Sequence, residues 1–175
     1  MRVMIRDAAI RAATAADAAA LARIYNYYVA DTIVTFEETP LTAADMAARL
    51  AESGALALPW LVAQTGAGVQ GYAYASRWKG RCAYRHSVEV TVYIEHEAVG
   101  RGLGTQLYAG LFAELARGPC HVAIGGIALP NEASVALHEK FGLRKVAHFS
   151  EVGYKFGRWL DVGYWQLVLP AAVTA

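Results

Sequence analysis

An alternating strand that runs into a glycine-rich turn and then a helical stripe constrains this chain more than any other feature. In Ser87-Val88-Glu89-Val90-Thr91-Val92-Tyr93-Ile94-Glu95, strand side chains alternate with period two. Val88, Val90, Val92 and Ile94 therefore share one face, and Ser87, Glu89, Thr91 and Tyr93 the other, so Glu89 points away from the aliphatic side. A few residues later come Gly100-Arg101-Gly102-Leu103-Gly104-Thr105 and a stripe of Leu103, Leu107, Leu111 and Leu115 at helical spacing, with Tyr108 and Phe112, ending before Gly118-Pro119. The first turn of a helix has unpaired N–H groups and the positive end of the helix dipole, and glycines let the backbone approach a ligand closely. Strand, glycine turn and helix in this order make a site for a pyrophosphate.

The rest of the chain reads as alternating helices and strands. Residues 9–13 form a short strand, and Thr14-Ala15-Ala16-Asp17 resembles a capping box that starts a helix to about Val29. A second helix begins at Thr42-Ala43-Ala44-Asp45 and is expected to stop near Gly54, a residue suited to a left-handed cap. Between them, residues 31–40 are a loop carrying Phe36, Glu37 and Glu38. Residues 60–64 and 69–75 are strands of a hairpin around Gly66-Ala67-Gly68. Residues 121–127 return as a strand, and Pro130-Asn131 opens a helix through Val135, Leu137 and His138 to Phe141, ended by Gly142. Residues 144–150 and 160–169 read as two strands joined by a loop rich in Gly, Lys and aromatics. The order β α α β β β α β α β β predicts one layered α/β unit with a mixed sheet.

Composition excludes several classes. The 175 residues carry a net charge of +1, so no basic stripe advertises nucleic acid. Cys82 and Cys120 are the only cysteines and lie far apart, which fits neither a disulfide framework nor a CxxC zinc site; a reducing cytoplasm is the expected compartment. Charges at Arg2, Arg6 and Asp7 argue against a signal peptide, and no apolar run reaches the ~18 residues of a membrane span. The histidines His86, His96, His121, His138 and His148 show no metal spacing, and no GxSxG elbow indicates covalent catalysis.

Five segments in order carry a resemblance: Trp78-Lys79-Gly80-Arg81-Cys82-Ala83-Tyr84-Arg85; Val88 to Ile94; the glycine turn; Pro130-Asn131-Glu132-Ala133-Ser134-Val135-Ala136-Leu137-His138-Glu139; and Gly153-Tyr154-Lys155-Phe156-Gly157-Arg158-Trp159-Leu160-Asp161-Val162. Over nearly its whole length the chain resembles the GNAT superfamily of acetyl-CoA-dependent N-acetyltransferases, and within it the phosphinothricin and methionine sulfoximine/sulfone acetyltransferases. The resemblance implies a mixed, mostly antiparallel sheet with a V-shaped splay, flanked by about four helices. One departure is that the superfamily's glycine motif usually starts with Gln or Arg where this chain has Val99. Because main-chain N–H groups make the principal pyrophosphate contacts, valine lowers affinity and leaves the cradle intact.

What the resemblance implies for the site can be stated residue by residue. Glu89 is the general base for the acceptor amine, since a carboxylate in a closing, partly apolar cleft has its pKa raised toward the operating pH; a solvated or salt-bridged strand glutamate is the plainer reading. Val92, Tyr93 and Ile94 pair with the pantetheine arm and supply the oxyanion donors. Gly100, Arg101, Gly102, Leu103, Gly104 and Thr105 hold the pyrophosphate, with Asn131 and Ser134 on the arm at the next helix start, where Asn131 equally reads as an ordinary N-cap. Lys79, Gly80, Arg81 and Arg85, with Val90 and Thr91, contact an amino-acid-like acceptor whose carboxylate wants a cation, although such a cluster also suits a solvated loop. Phe36, Tyr154 and Lys155 complete that pocket, from this chain or from a partner subunit. His138 relays protons or is structural. A homodimer is implied, with Tyr164-Trp165 either in the contact or in the core. The rival readings are an enzyme of the same superfamily for another small amine or a protein N-terminus, and a non-catalytic acyl-CoA sensor.

Overall fold

The computed structural model describes residue 5 and residues 8–169, and its elements follow the expected order. The charged positions Arg2, Arg6 and Asp7 lie outside the described residues. Strand β1 spans Ala9–Ala12; the Thr14 N–H then donates to the Asp17 carboxylate at 2.8 Å, and one 3-10 turn leads into helix α1, Ala18–Asp31. Helix α2, Ala43–Ala55, starts on the same reciprocal cap, with Thr42 Oγ1 accepting from the Asp45 N–H at 3.1 Å and the Asp45 carboxylate accepting from the Thr42 N–H at 2.8 Å. Its end differs from expectation. Gly54 lies inside the helix, and the left-handed residue is Ala57 at φ 54°. The Ala57 N–H donates to the Gly54 carbonyl at 3.0 Å and the Leu58 N–H to the Ser53 carbonyl at 2.9 Å, so the last carbonyls are satisfied later than the glycine suggests.

Strands β2, Trp60–Thr65, and β3, Gly68–Arg77, form the expected hairpin, and β4 spans Ser87–Ile94. Helix α3, Leu103–Arg117, precedes β5, Val122–Leu129. Helix α4, Glu132–Lys140, is capped by Asn131, whose side-chain oxygen accepts from the Ser134 N–H at 3.1 Å. The C-terminal segment departs from the sequence reading. Strands β6, Arg144–Lys155, and β7, Arg158–Val168, make one long hairpin instead of two short strands around a loop. Phe156 and Gly157 turn it with φ of 52° and 73°, the hand that matches strand twist, and register shifts between Lys145 and Ala147 and between Phe149 and Gly153 break the alternation on which a period-two reading depends.

The seven strands lie in the order β1-β2-β3-β4-β5-β7-β6, and only the β4–β5 pair is parallel. That pair is short. Ser87, Val88 and Glu89 stand opposite Val122, Ala123 and Ile124, and beyond Glu89 the two strands part. The expected mixed, mostly antiparallel, splayed sheet with four helices is thus the one observed.

Two cores fix which way each strand residue faces. On one side Leu103, Leu107, Leu111 and Leu115 of α3 pack on Leu61, Ala63, Ala73, Ala75, Val88 and Val90. On the other, Leu21, Ile24, Tyr25 and Val29 of α1 and Met46 of α2 pack on Val62, Tyr72 and Tyr93. Fully burying each such side chain contributes about 1.5–3 kcal/mol, so the alternation in β4 is strongly specified: Val88 and Val90 face α3, and Tyr93 faces α1. Glu89, in phase with Tyr93, therefore lies on the α1 side at the point where the sheet opens. Among the described residues no helix is long and apolar enough to cross a membrane.

Candidate active site

Two small cavities meet where β4 and β5 part. The one of about 180 Å³ is lined by Glu89, Val34 and Phe36 of the segment between α1 and α2, Gly126 and Ala128 of β5, and Val162 and Tyr164 of β7. The other, about 40 Å³, occupies the narrow part of the splay between Val90–Tyr93 and Gly126–Ala128, and is closed by Tyr108, Asn131, Ser134 and His138. Val34, Gly126 and Ala128 belong to both walls. A larger cavity of about 720 Å³, beside β1 and the later turns of α3, contains none of the predicted site residues.

Burial raises the pKa of Glu89 above the ordinary glutamate value, and the charge of Lys79 opposes the rise. Glu89 is half-buried, so it keeps access to a ligand while losing much of its hydration. Lys79 Nζ lies 4.8 Å from the Trp78 ring centre, Trp78 meets Tyr164 edge to face at 5.4 Å, and Tyr164 forms a wall of the Glu89 cavity. Trp78, Lys79 and Tyr164 also line an apolar cavity of about 460 Å³ with Ile124, Phe149 and Val152. Tyr164 thus separates a space at the carboxylate from a larger apolar space with a cation on its rim.

His138 is buried, and its protonation follows from its partners. Nδ1 lies 2.7 Å from the Ser134 carbonyl, which only accepts, so Nδ1 carries the proton. Nε2 is then an acceptor and takes the Tyr108 hydroxyl at 3.0 Å. Burial lowers the His138 pKa and raises that of Tyr108, so both are held neutral. Room for this ring comes from Gly125, where a Cβ would lie 2.4 Å from Nε2.

The glycine turn adopts a conformation that other residues resist. Gly100 and Gly102 have φ of 79° and 86°, and Gly102 is the N-cap of α3. Leu103 is buried in the core, Gly104 packs near Leu137, and the Thr105 hydroxyl accepts from Lys140 Nζ at 3.3 Å. The Arg101 carbonyl accepts from the Ile5 N–H at 3.1 Å. Val99 is exposed. A splayed pair of strands beside a glycine-turned helix start fits an extended arm ending in a pyrophosphate, with Asn131 and Ser134 along the narrow cavity.

The predicted residues do not all converge. Val90, Thr91, Val92, Tyr93, Asn131, Ser134 and His138 line the narrow splay, and Glu89 and Phe36 line the cavity beside it. The Tyr93 side chain is buried in an aromatic cluster with Tyr25, Tyr28 and Tyr72, so it serves the core. Gly80 and Arg81 are exposed in the loop after β3. Arg85 instead lines a separate cavity with Arg77, Leu56 and Leu58. Tyr154 is exposed against Trp159, 4.9 Å between ring centres, and Lys155 is buried against the α1–α2 segment. Of the pair expected in a dimer contact or the core, Trp165 is in the core, its Nε1 donating to Glu139 at 3.1 Å, and Tyr164 is in the cleft. Sequence reasoning missed Tyr108, Gly126, Val34 and Tyr164; the paired glycines Gly125-Gly126 inside an apolar strand were the available signal of close approach. Among the described residues no cluster of three or more His, Cys, Asp or Glu could hold a metal ion.

A family model described as an acetyltransferase (GNAT) domain matches residues 10–163. Phosphinothricin N-acetyltransferase of Streptomyces coelicolor is 41% identical over 160 residues, covering 90% of this chain and 94% of its own length. The L-methionine sulfoximine/L-methionine sulfone acetyltransferase of Salmonella typhimurium is 36% identical over 160 residues, 91% and 94% of the two chains. A phosphinothricin acetyltransferase from Sinorhizobium meliloti, solved in complex with AcCoA, superposes with a TM-score of 0.91 at 35% identity, covering 96% of this chain and 91% of that one.

Proposed function

This chain belongs to the GNAT acetyltransferase family, and we propose on that premise that it moves the acetyl group of acetyl-CoA to the α-amine of a small amino-acid analogue, phosphinothricin or L-methionine sulfoximine or sulfone. The observation that carries the reading is the position of Glu89, the last β4 residue paired to β5, with a raised pKa and a cavity on its open side.

Acetyl-CoA supplies an activated thioester. The glycine turn at the start of α3 holds its pyrophosphate on main-chain N–H groups, and the arm lies between the parted strands against Val92, Asn131 and Ser134. Glu89 takes a proton from the acceptor ammonium, directly or through water, so that a neutral amine attacks the thioester carbonyl. Backbone N–H groups of the parted β4 near Val92 stabilise the oxyanion that develops. Its collapse breaks the C–S bond, the proton still carried by the attacking nitrogen passing to the departing sulfur, so that the products are the amide and CoA thiol. Lys79 attracts the acceptor's carboxylate, and Tyr164, Trp78 and Phe149 receive its side chain. His138, neutral and bonded on both nitrogens, orients Tyr108 in the wall.

The protein acts as a homodimer in this reading, because the β6–β7 hairpin leaves Val146, Phe149, Val152, Phe156 and Trp159 exposed along one element. Its free cysteines Cys82 and Cys120 suit the cytoplasm. Light scattering of wild type and Trp159→Asp tests the dimer, a monomeric wild type excluding it.

A thiol-release assay with acetyl-CoA against phosphinothricin, L-methionine sulfoximine, L-methionine sulfone, ordinary amino acids, peptides and polyamines tests the activity. Saturable turnover on the first three, lost in Glu89→Gln, is the expected result. Turnover confined to peptides or polyamines overturns the acceptor class, and acetyl-CoA binding without turnover on any amine overturns the enzymatic reading.

A further inference from the structure

Lys155 is the most deeply buried cation among the described residues, at 1% exposure. No carboxylate lies within ion-pair distance of it there, Glu38 acts on it only from farther away, and its Nζ lies 5.0 Å from the Phe156 ring centre. Its Nζ donates to the carbonyls of Thr35 at 2.8 Å and Tyr28 at 3.4 Å. Tyr28 is in the last turn of α1, where the negative end of the helix dipole favours a cation, and its carbonyl also accepts from Thr32 Oγ1 at 2.9 Å. Thr35 stands in the segment between α1 and α2, next to the residue that forms part of the Glu89 cavity, Phe36.

A second contact from the same strand holds that neighbour. Gly153 lies two residues before Lys155 in β6, hence in phase with it, and a Cβ there would come within 2.3 Å of the Phe36 ring. The strand therefore grips consecutive residues of the segment, the Thr35 carbonyl by an ammonium and the Phe36 ring by a bare backbone. Elsewhere the segment is fixed by the Tyr25 hydroxyl on Thr35 Oγ1 at 2.7 Å and by Arg49 on Glu37 at 2.6 Å. The acceptor-side wall of the carboxylate cavity is thus set from β6, none of whose residues lines that cavity.

We infer that Lys155 is a positioning residue for the acceptor: without touching it, the ammonium holds the Thr35 carbonyl so that Phe36 and Val34 keep their place opposite Glu89. The inference rests on the reading that the acceptor occupies the Glu89 cavity. A methyl-terminated side chain of similar length keeps the volume but leaves the buried Thr35 carbonyl without its donor, while the Tyr28 carbonyl keeps the Thr32 hydroxyl at 2.9 Å, and the segment at Thr35 then relaxes toward water.

The test compares Lys155→Met, Lys155→Arg and Gly153→Ala with wild type. In Lys155→Met, amide exchange over residues 33–38 is expected to quicken about tenfold or more relative to β2–β4. The acceptor KM should rise about tenfold while the acetyl-CoA Kd stays within about twofold. Lys155→Arg, which keeps a donor, should recover part of both effects. Gly153→Ala keeps the lysine and displaces the Phe36 ring, so it should raise the acceptor KM without quickening exchange at Thr35. Unchanged exchange over 33–38 in Lys155→Met overturns the inference, as does a rise in acceptor and acetyl-CoA constants together. If Lys155→Met does not fold, an unchanged acceptor KM in Gly153→Ala overturns it. The exchange measurement needs no substrate, so a wild type without turnover on any acceptor removes the proposed activity while the tether is still decided.

Discussion

A Cβ built on Gly126 would lie 3.1 Å from Glu89 Oε1, and equally 3.1 Å from Tyr164 Cε1. One bare position in β5 therefore gives the carboxylate and the aromatic wall of its cavity their places. Gly126→Ala forces both to move by a few tenths of an ångström, a displacement that matters to a reaction geometry more than to folding. Acceptor kcat/KM is expected to fall about tenfold to a hundredfold, while Tm shifts by no more than about 2 °C because both side chains can yield into the cavity. Steady-state kinetics and a melt on one preparation check this, and an unaltered kcat/KM means the carboxylate is not held where the reaction needs it.

The pH dependence of Glu89 has opposite signs for activity and stability. The base must be ionised, so kcat/KM falls as pH drops through a pKa that burial has raised, and the acid limb lies above that of an exposed glutamate. For stability, a folded-state pKa above the unfolded one gives a contribution that is complete below the unfolded pKa and lost as pH rises through the folded one. Glu89→Gln should lower kcat by about 10²–10⁴, remove the limb, and raise Tm at neutral pH. Lys79→Met removes the charge that opposes the rise, so its limb should move to higher pH. A limb that stays still or moves down in Lys79→Met refutes the assignment.

Most of the fold was legible because its signals are local. Period two in β4 put Glu89 opposite the aliphatic face, and the caps at Thr14 and Thr42 start helices where the sequence says they should. Failures came where a rule is permissive. Glycine is compatible with a helix interior, so Gly54 did not stop α2, and Ala57 took the left-handed position instead. The β6–β7 hairpin escaped because Glu151, at φ 52°, lies in a register shift, and its N–H is taken by the Asp161 carboxylate at 2.8 Å across the hairpin. Of the site residues supplied by distant strands, Tyr164 from β7 carries no motif and Gly126 from β5 only the signal of a paired glycine; sheet order is what brings them beside Glu89. Lys155 illustrates the converse, since a motif position marked it for the pocket and the chain buries it against backbone carbonyls instead.

Tyr108 and His138 should behave as one buried unit. Tyr108→Phe removes the hydroxyl that donates to Nε2 and leaves a buried acceptor unpaired, at a cost of about 1–3 kcal/mol. Because burial lowers the His138 pKa, its contribution to stability is present above the unfolded value and lost as pH falls from there through the lowered folded value. Denaturant unfolding of wild type, Tyr108→Phe, His138→Gln and the double variant should give a coupling of about 1 kcal/mol or more between the two sites. Strict additivity would falsify the pair as a unit.

Gly102 tests the cradle independently of the carboxylate. At φ 86° it is the N-cap of α3, and its carbonyl accepts from the Gln106 N–H at 3.2 Å, so its conformation sets how the next N–H groups leave the helix. Alanine there costs about 1–2 kcal/mol in the left-handed region, and relief of that strain turns the first N–H groups away from a common point. Gly66→Ala is the matched control, since Gly66 has neither a positive φ nor any atom within 4 Å of an added Cβ. Calorimetric titration with acetyl-CoA should show Kd about tenfold or more weaker for Gly102→Ala and unchanged for Gly66→Ala, while the acid limb set by Glu89 stays where it was in both. Equal Kd values for the two variants would mean that side chains, not the main chain of the glycine turn, hold the pyrophosphate. Val99, where relatives of this fold were expected to carry Gln or Arg, would then be a more serious loss than a main-chain cradle allows.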